Sequence, residues 1–482
     1  GMRVAEQLAI TDSADARIWF VEVTYRDGLP ETYTLPVTIA RGAAARQVAE
    51  STPHAVIARF EGSEDTILQD AVWNAGFRES LFRLMADNQT IPGKSGEIVG
   101  AAGTALPTGT AVLPSQVLGV EQSNSSMVFD NKFFLKLYRK LEDGVNPDVE
   151  VTRFLSEKAR YPNVPAFGGS IEYRRPGAES TVVCAMQSAI TSEGDAWSMT
   201  LDSVSRFYDR VLARKSDLQS EIVGTGPLVN ELIGGVYPER TKLLGQRTAE
   251  LHLALASETE DKRFAPEPFN AMAQRSVFQN MRATVRRIWE LLGKKLHDLP
   301  ANVRNEAEEV FAADKQILAL QQRILDRITG AAKIRIHGDY HLGQVLYTGK
   351  DFFILDFEGE PARPLSERKL KRSALRDVAG MMRSYQYAAY SALWQPSMRP
   401  EDVPFLERWA DLWYRQMSST FLMSYLHTAA SAPFIPRQDD LQVMLEAYLL
   451  DKAVYEVGYE LNNRPDWVVI PIRGIRHILQ KS

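Results

Sequence analysis

The stretch Ile336-His337-Gly338-Asp339-Tyr340-His341-Leu342-Gly343-Gln344, continued by Phe352-Phe353-Ile354-Leu355-Asp356-Phe357-Glu358-Gly359, constrains this chain more than any other. Two short apolar runs, at 344–347 and 352–355, flank Thr348-Gly349-Lys350-Asp351, which predicts a small hairpin. Gln344 lies five positions after Asp339, and Asp356 follows Asp339 by seventeen, so closing the hairpin brings Gln344 and Asp356 together near its open end. An acid, an amide and a second acid in that arrangement suit phosphoryl transfer between oxygens. One carboxylate orients the attacking hydroxyl, and oxygen ligands hold Mg²⁺ against the phosphates. Asp339 is therefore the candidate catalytic residue, with Gln344 and Asp356 as candidate metal ligands. Zinc binding by His337 and His341 is the weaker reading, because ligands four residues apart need a helix and Gly338 argues against one.

His-Gly-Asp with its Asp-Phe-Glu-Gly continuation resembles the aminoglycoside-phosphotransferase-like kinases, and its spacing is close to that of the protein kinases. The following Glu360-Pro361-Ala362-Arg363-Pro364, Glu367-Arg368, Lys371 and Leu375-Arg376-Asp377-Val378-Ala379-Gly380-Met381 are similar to maltokinases, and the likeness runs along the whole chain. The resemblance implies an α+β, bilobal, protein-kinase-like fold. Residues 1–110 would form an N-terminal, mostly antiparallel β cap domain, 111–195 a nucleotide-binding small lobe, and 196–482 a helical lobe with the catalytic loop and sugar pocket. It also implies ATP and Mg²⁺ as cofactors and maltose as acceptor. The product would be maltose 1-phosphate, feeding α-glucan synthesis, with possible association or fusion with a trehalose synthase. Two departures stand out: the amide ligand is Gln344 where the kinases have Asn, and the phosphate turn lacks glycine.

In the order of the chain, residues 17–39 hold two strand-like segments. In the second, Tyr33, Leu35, Val37 and Ile39 alternate with Thr32, Thr34 and Thr38, which predicts one buried and one wet face. Pro92-Gly93-Lys94-Ser95 is not a phosphate loop, because position 88, where its first glycine belongs, is Asn88. The runs on either side of Asp130-Asn131 predict a hairpin that sets Lys136 in an apolar strand. The kinase reading makes Lys136 the phosphate lysine, with the turn Gln122-Ser123-Asn124-Ser125-Ser126 offering Ser123, Ser125 and Ser126 to the nucleotide. Asn146-Pro147 starts a helix reaching about Ala159, and Glu150 in its first turns is the expected ion-pair partner of Lys136. By resemblance, the strand Val182 to Ile190 is the hinge that meets adenine, with Gln187 at the nucleotide.

Helical periodicity dominates from Ala196. Leu244, Thr248, Leu251 and Leu255 share one face, as do Val277, Met281 and Val285, and 302–328 reads as one long helix. His252 reads as a packed helix residue. Tyr448, Lys452, Tyr455 and Tyr459 line one face of the helix from about Asp439 to Asn462, an aromatic, hydroxylated surface suited to sugars. Asp451-Lys452-Ala453-Val454-Tyr455-Glu456 with Arg464-Pro465-Asp466-Trp467 resembles the maltokinase C-terminal signature. By that resemblance Tyr448, Glu456, Arg464 and His341 contact the sugar, while His337 and Asp377 support the catalytic segment from behind.

The 482 residues, 45% hydrophobic and 24% charged, suffice for two or three domains with cores, and a net charge of −5 gives no reason to expect nucleic acid or an anionic membrane as partner. Cys184 is the one cysteine and cannot form an internal disulfide, and Gly1-Met2-Arg3 opens no apolar signal-peptide core. A cytoplasmic location is therefore expected. Two other readings stay open. A kinase for glucosamine or an aminoglycoside would keep every nucleotide residue and change the C-terminal pocket. A catalytically silent binding module would not need the full set of Lys136, Glu150, Asp339, Gln344 and Asp356.

Overall fold

Alternating apolar residues build strands through the first 190 positions, and a 3.6-residue period builds helices through most of the rest. The computed structural model describes residues 1–10, 16–62, 65–118, 124–218, 226–326, 330–395 and 398–481. They fall into two compact units: Gly1–Thr191 with Arg363–Glu367, and Ser192–Ala362 with Arg368–Ser482.

The first unit contains two antiparallel sheets. One runs in the order Met2–Ala9, Arg17–Val23, Glu31–Arg41, Thr66–Asp70, Val56–Arg59, with Lys140–Leu141 also pairing on Glu31–Arg41. The other has seven strands: Thr90–Pro92, Glu97–Ala102, Phe167–Arg174, Thr181–Ser188, Phe133–Tyr138, Asn124–Phe129 and Ser115–Val117. One apolar core from Leu8 to Met186 serves both sheets and the helix Ala75–Ala86. The division we propose at residue 110 falls inside the seven-stranded sheet, which takes Thr90–Pro92 and Glu97–Ala102 from before it and its other strands from after it, and no break in the core marks it. Glu31–Arg41 departs from the expected alternation: Thr34 and Thr38 are buried while Leu35 and Ile39 are only half-buried. The strand has neighbours on both edges, and Lys140–Leu141 also pairs with it, so it runs through the interior of its sheet.

The second unit is helical around a three-stranded sheet of Gly194–Asp195, Val345–Tyr347 and Phe352–Ile354. Helix Val236–Leu255 packs along Val403–Thr428, and Gln438–Asn463 packs against both Ala271–Lys295 and Leu375–Ser391. Leu244, Thr248, Leu251 and Leu255 are buried as their spacing requires. Of the helix expected over 302–328, the described part is instead two helices, Ala301–Ala312 and Asp314–Gln322, broken at Ala313 and followed by a 3-10 turn Arg323–Asp326, while 327 and 328 lie outside the described residues. At the break the Asp314 carboxylate accepts from the Lys315 amide at 2.7 Å, the local competition with helical bonding that favours Asp at helix starts. Among the described residues no helix is long and apolar enough to cross a membrane.

Candidate active site

Leu346 pairs with Phe353 in the predicted hairpin, which closes with Thr348 N donating to Asp351 O at 2.9 Å. At its open end Leu355 N donates to Gln344 O at 2.9 Å, and the Gln344 amide nitrogen donates to Asp356 Oδ2 at 3.1 Å. The amide and the carboxylate thus occupy one small volume. Turning the amide about its last torsion would offer an oxygen from each, the donor type that Mg²⁺ takes, so the pair fits such an ion. Asp356 has φ 61°, a left-handed conformation that costs a non-glycine residue about 1–3 kcal/mol and recurs at functional turns.

The His-Gly-Asp segment is held from beneath. Gly338 has φ 91°, which side chains rarely tolerate, and a Cβ on Gly380 would lie 2.7 Å from the Tyr340 carbonyl oxygen, so the loop rests directly on helix Leu375–Ser391. From that helix the buried Asp377 carboxylate accepts from His337 N at 2.7 Å and Gly338 N at 3.0 Å. His252 Nε2 lies 3.1 Å from the same carboxylate, and its Nδ1 lies 2.9 Å from the Tyr425 hydroxyl. Burial opposes the Asp377 charge, but the His252 bond, the nearby His337 and the Gly338 N–H outweigh it and keep the pKa below the usual carboxylate value. His252 is packed, as its helical setting suggested, and is also a member of this network. His337 Nε2 lies 2.8 Å from the Leu355 carbonyl, which can only accept, so this nitrogen carries the proton.

Around Asp339 the structure adds a residue that the sequence reading placed on a helix face but gave no role. Lys452 Nζ is 3.4 Å from Asp339 Oδ1 and 3.7 Å from Glu360 Oε1. Arg376 in turn lies 3.2 Å from Glu360 and 3.9 Å from Asp451. Burial works against the Lys452 charge, but the carboxylates of Asp339, Glu360 and Glu456 prevail and hold it protonated. His341 is half-buried, and its Nδ1 accepts from Gly343 N at 3.1 Å. Burial is the main cause that keeps its pKa low, with Lys452 adding to it against the pull of Asp339.

The residues assigned to the sugar spread along helix Gln438–Asn463 and its end. Tyr448 is buried. Glu456 is buried too, and it is engaged by Arg383, whose Nε and Nη2 donate to it at 2.8 and 2.6 Å. Arg464 binds Glu460 at 2.7 Å and lies 4.4 Å over the Trp467 ring. Each of Glu456 and Arg464 thus already has an ionic partner of its own.

In the first unit, Lys136 pairs with Ser126 across the expected hairpin, whose turn residues Asp130 and Asn131 are both left-handed. Asp148 brings a carboxylate to 3.7 Å from the Lys136 ammonium, and also accepts from the Tyr138 hydroxyl at 3.1 Å. Glu150, the expected partner, is half-buried in the same first helical turn, where Asn146 caps the Asp148 amide at 2.9 Å. Asp148 was legible as a helix-start acid, but its approach to the lysine was not, because that approach depends on helix phase. That helix ends at Arg153 and continues as a π-turn to Lys158. Ser125 and Ser126 belong to the strand Asn124–Phe129, not to a turn; Ser126 is buried and Ser125 Oγ accepts from Arg139 Nε at 2.9 Å. Ser123 lies outside the described residues. Gln187 sits in the strand Thr181–Ser188, opposite Phe134. The rejected phosphate loop is filled from within, since Lys94 N and Ser95 N donate to Glu6 at 3.1 and 2.7 Å.

No family model matches the chain. It is similar to a glucosamine kinase of Streptacidiphilus jiangxiensis, 23% identical over 413 residues that make up 84% of this chain and 81% of that protein. A glucosamine kinase of Mycolicibacterium smegmatis (strain ATCC 700084 / mc(2)155) is 22% identical over 363 residues, 75% of this chain and 79% of its own. Among solved structures, a glucosamine kinase in complex with glucosamine, ADP and inorganic phosphate superposes with a TM-score of 0.65 at 20% identity, covering 99% of this chain and 93% of that one. The chain therefore has the fold of that enzyme, and the expected α+β, bilobal, kinase-like class holds.

Proposed function

We propose that this chain is an ATP-dependent sugar kinase, and that its acceptor is an aminosugar of the glucosamine type rather than maltose. The observation that carries the reading is the convergence at one hairpin end of Gln344 and Asp356, with the Asp339 segment gripped by Asp377. Asp339 orients the acceptor hydroxyl and takes its proton as oxygen attacks the γ-phosphorus and ADP leaves. Gln344 and Asp356 would hold Mg²⁺, which when bound neutralises charge on the phosphates. Lys136, kept in place by Asp148, is assigned to the nucleotide phosphates.

The choice of acceptor draws support from the glucosamine kinases to which most of the chain is similar. Maltose is the second reading. It is favoured by the C-terminal signature and by Tyr459, which is 48% exposed on the helix that carries it. Association with a trehalose synthase belongs to that reading and stands or falls with it.

The test is product formation from ATP, Mg²⁺ and a panel containing glucosamine, maltose and an aminoglycoside. Glucosamine should be phosphorylated with the highest kcat/KM. Asp339→Asn should keep ATP affinity while losing on the order of 10² to 10⁴ in kcat. A variant retaining more than about a tenth of wild-type kcat removes Asp339 from the role of base, and preferential turnover of maltose restores the second reading.

A further inference from the structure

The segment from Ile336 to Gln344 contains no lysine or arginine, so the cation beside the proposed base comes from elsewhere in the sequence. It comes from Lys452, 113 residues later, whose ammonium is 3.4 Å from Asp339 Oδ1. That ammonium is not a loose surface charge. Its side chain is 23% exposed, it lies 3.7 Å from the buried Glu360, and it sits 5.2 Å from the centre of the Tyr455 ring. Glu360 is fixed in turn by Arg376 at 3.2 Å, and Arg376 reaches Asp451, the neighbour of Lys452 on the same helix. The alternating charges Asp339, Lys452, Glu360, Arg376 and Asp451 form a path that returns to the helix it left. Withdrawing the ammonium would strand carboxylates in a partly buried site, so the pairing is self-enforcing.

We propose that Lys452 is a positioning residue, which fixes the Asp339 carboxylate through Oδ1 and leaves Oδ2 for the acceptor hydroxyl. The proposal rests on the kinase reading above and deepens it. A lysine acting only through Asp339 leaves a signature that neither a structural lysine nor a sugar-binding lysine would leave: its removal costs nothing once Asp339 has been disabled.

The experiment is a double-mutant cycle in the full chain, using the sugar that the wild type phosphorylates best. Lys452→Met should lower kcat by about 10²-fold, the usual cost of a misplaced catalytic group, with the KM for ATP within about twofold. Lys452→Arg, which keeps the charge, should recover part of that loss. In an Asp339→Asn background, Lys452→Met should reduce kcat by less than about twofold further. If Lys452→Met fails to fold, Lys452→Gln carries the same cycle with a polar end and the charge removed. Losses that multiply in the double variant, or a rise in acceptor KM with kcat intact, overturn the proposal. A wild type that phosphorylates no sugar overturns the kinase reading and this proposal together, whereas an active wild type with multiplying losses overturns this proposal alone.

Discussion

Glu456 shows how a residue chosen for its motif is redefined by what it touches. Its carboxylate receives two bonds from Arg383, a guanidinium that is itself 1% exposed, on a neighbouring helix. Burial opposes the Arg383 charge, and the Glu456 carboxylate outweighs it, raising the arginine's pKa. Removing one member of such a pair leaves the other buried and unanswered, at a cost of roughly 3–5 kcal/mol. Glu456→Ala is therefore expected to lower the denaturation midpoint by that equivalent, as measured by urea unfolding. Any change in acceptor KM should be secondary. Unchanged stability with a raised acceptor KM would return Glu456 to the sugar pocket. The meeting of Gln344 and Asp356 was legible at this scale because it is carried by short-range spacing. Lys452 was not, because a lysine 113 positions from its carboxylate leaves no local trace.

At the scale of elements, helix Leu375–Ser391 acts as the bed of the catalytic segment. Asp377 takes two backbone N–H groups, and Gly380 admits the Tyr340 carbonyl against the helix. Asp377→Ala leaves the His337 and Gly338 amides without that acceptor, at about 1–3 kcal/mol for each buried donor left unsatisfied. Hydrogen exchange at these two amides should accelerate sharply, and kcat should fall by about 10²-fold as the loop loses its register. Exchange that stays slow would mean that packing alone holds the loop. The hairpin was readable from its apolar runs and turn residues. The break at Ala313 was not, because both flanking segments have good helical composition and the one local signal, the Asp314 carboxylate that binds the Lys315 amide, is weak in sequence alone.

For the whole molecule, acid stability is a property of both units. In the first, hydrogen bonds led by Lys140 bring Glu31 down to about 2, and Glu6 is lowered despite burial by the Ser95 and Lys94 amides and the Tyr173 hydroxyl. In the second, Lys371 foremost lowers Glu267, and Asp377 is lowered by its network against burial. A carboxylate whose folded pKa is depressed contributes stability that is complete above its unfolded value and is lost as pH falls toward the folded one. Glu460 has the opposite sign, because burial raises its pKa, so it offsets part of the trend. The melting temperature is therefore expected to hold between about pH 7 and 5 and to fall below about pH 4. A melting temperature that rose on acidification would show that burial, not ion pairing, dominates these groups.

The sequence by itself determined the meeting of Gln344 and Asp356 at one hairpin end, the two regimes of strand and helix, and the hairpin that carries Lys136, since each is written in contiguous spacing. Tertiary structure alone decided that Asp148 approaches Lys136, that Glu456 and Arg464 already hold ionic partners, and that Lys452 stands beside Asp339. The reason is geometric. A period of two or 3.6 residues fixes which side chains share a face, whereas the partner across a packing interface depends on helix phase and crossing position, which local sequence does not encode.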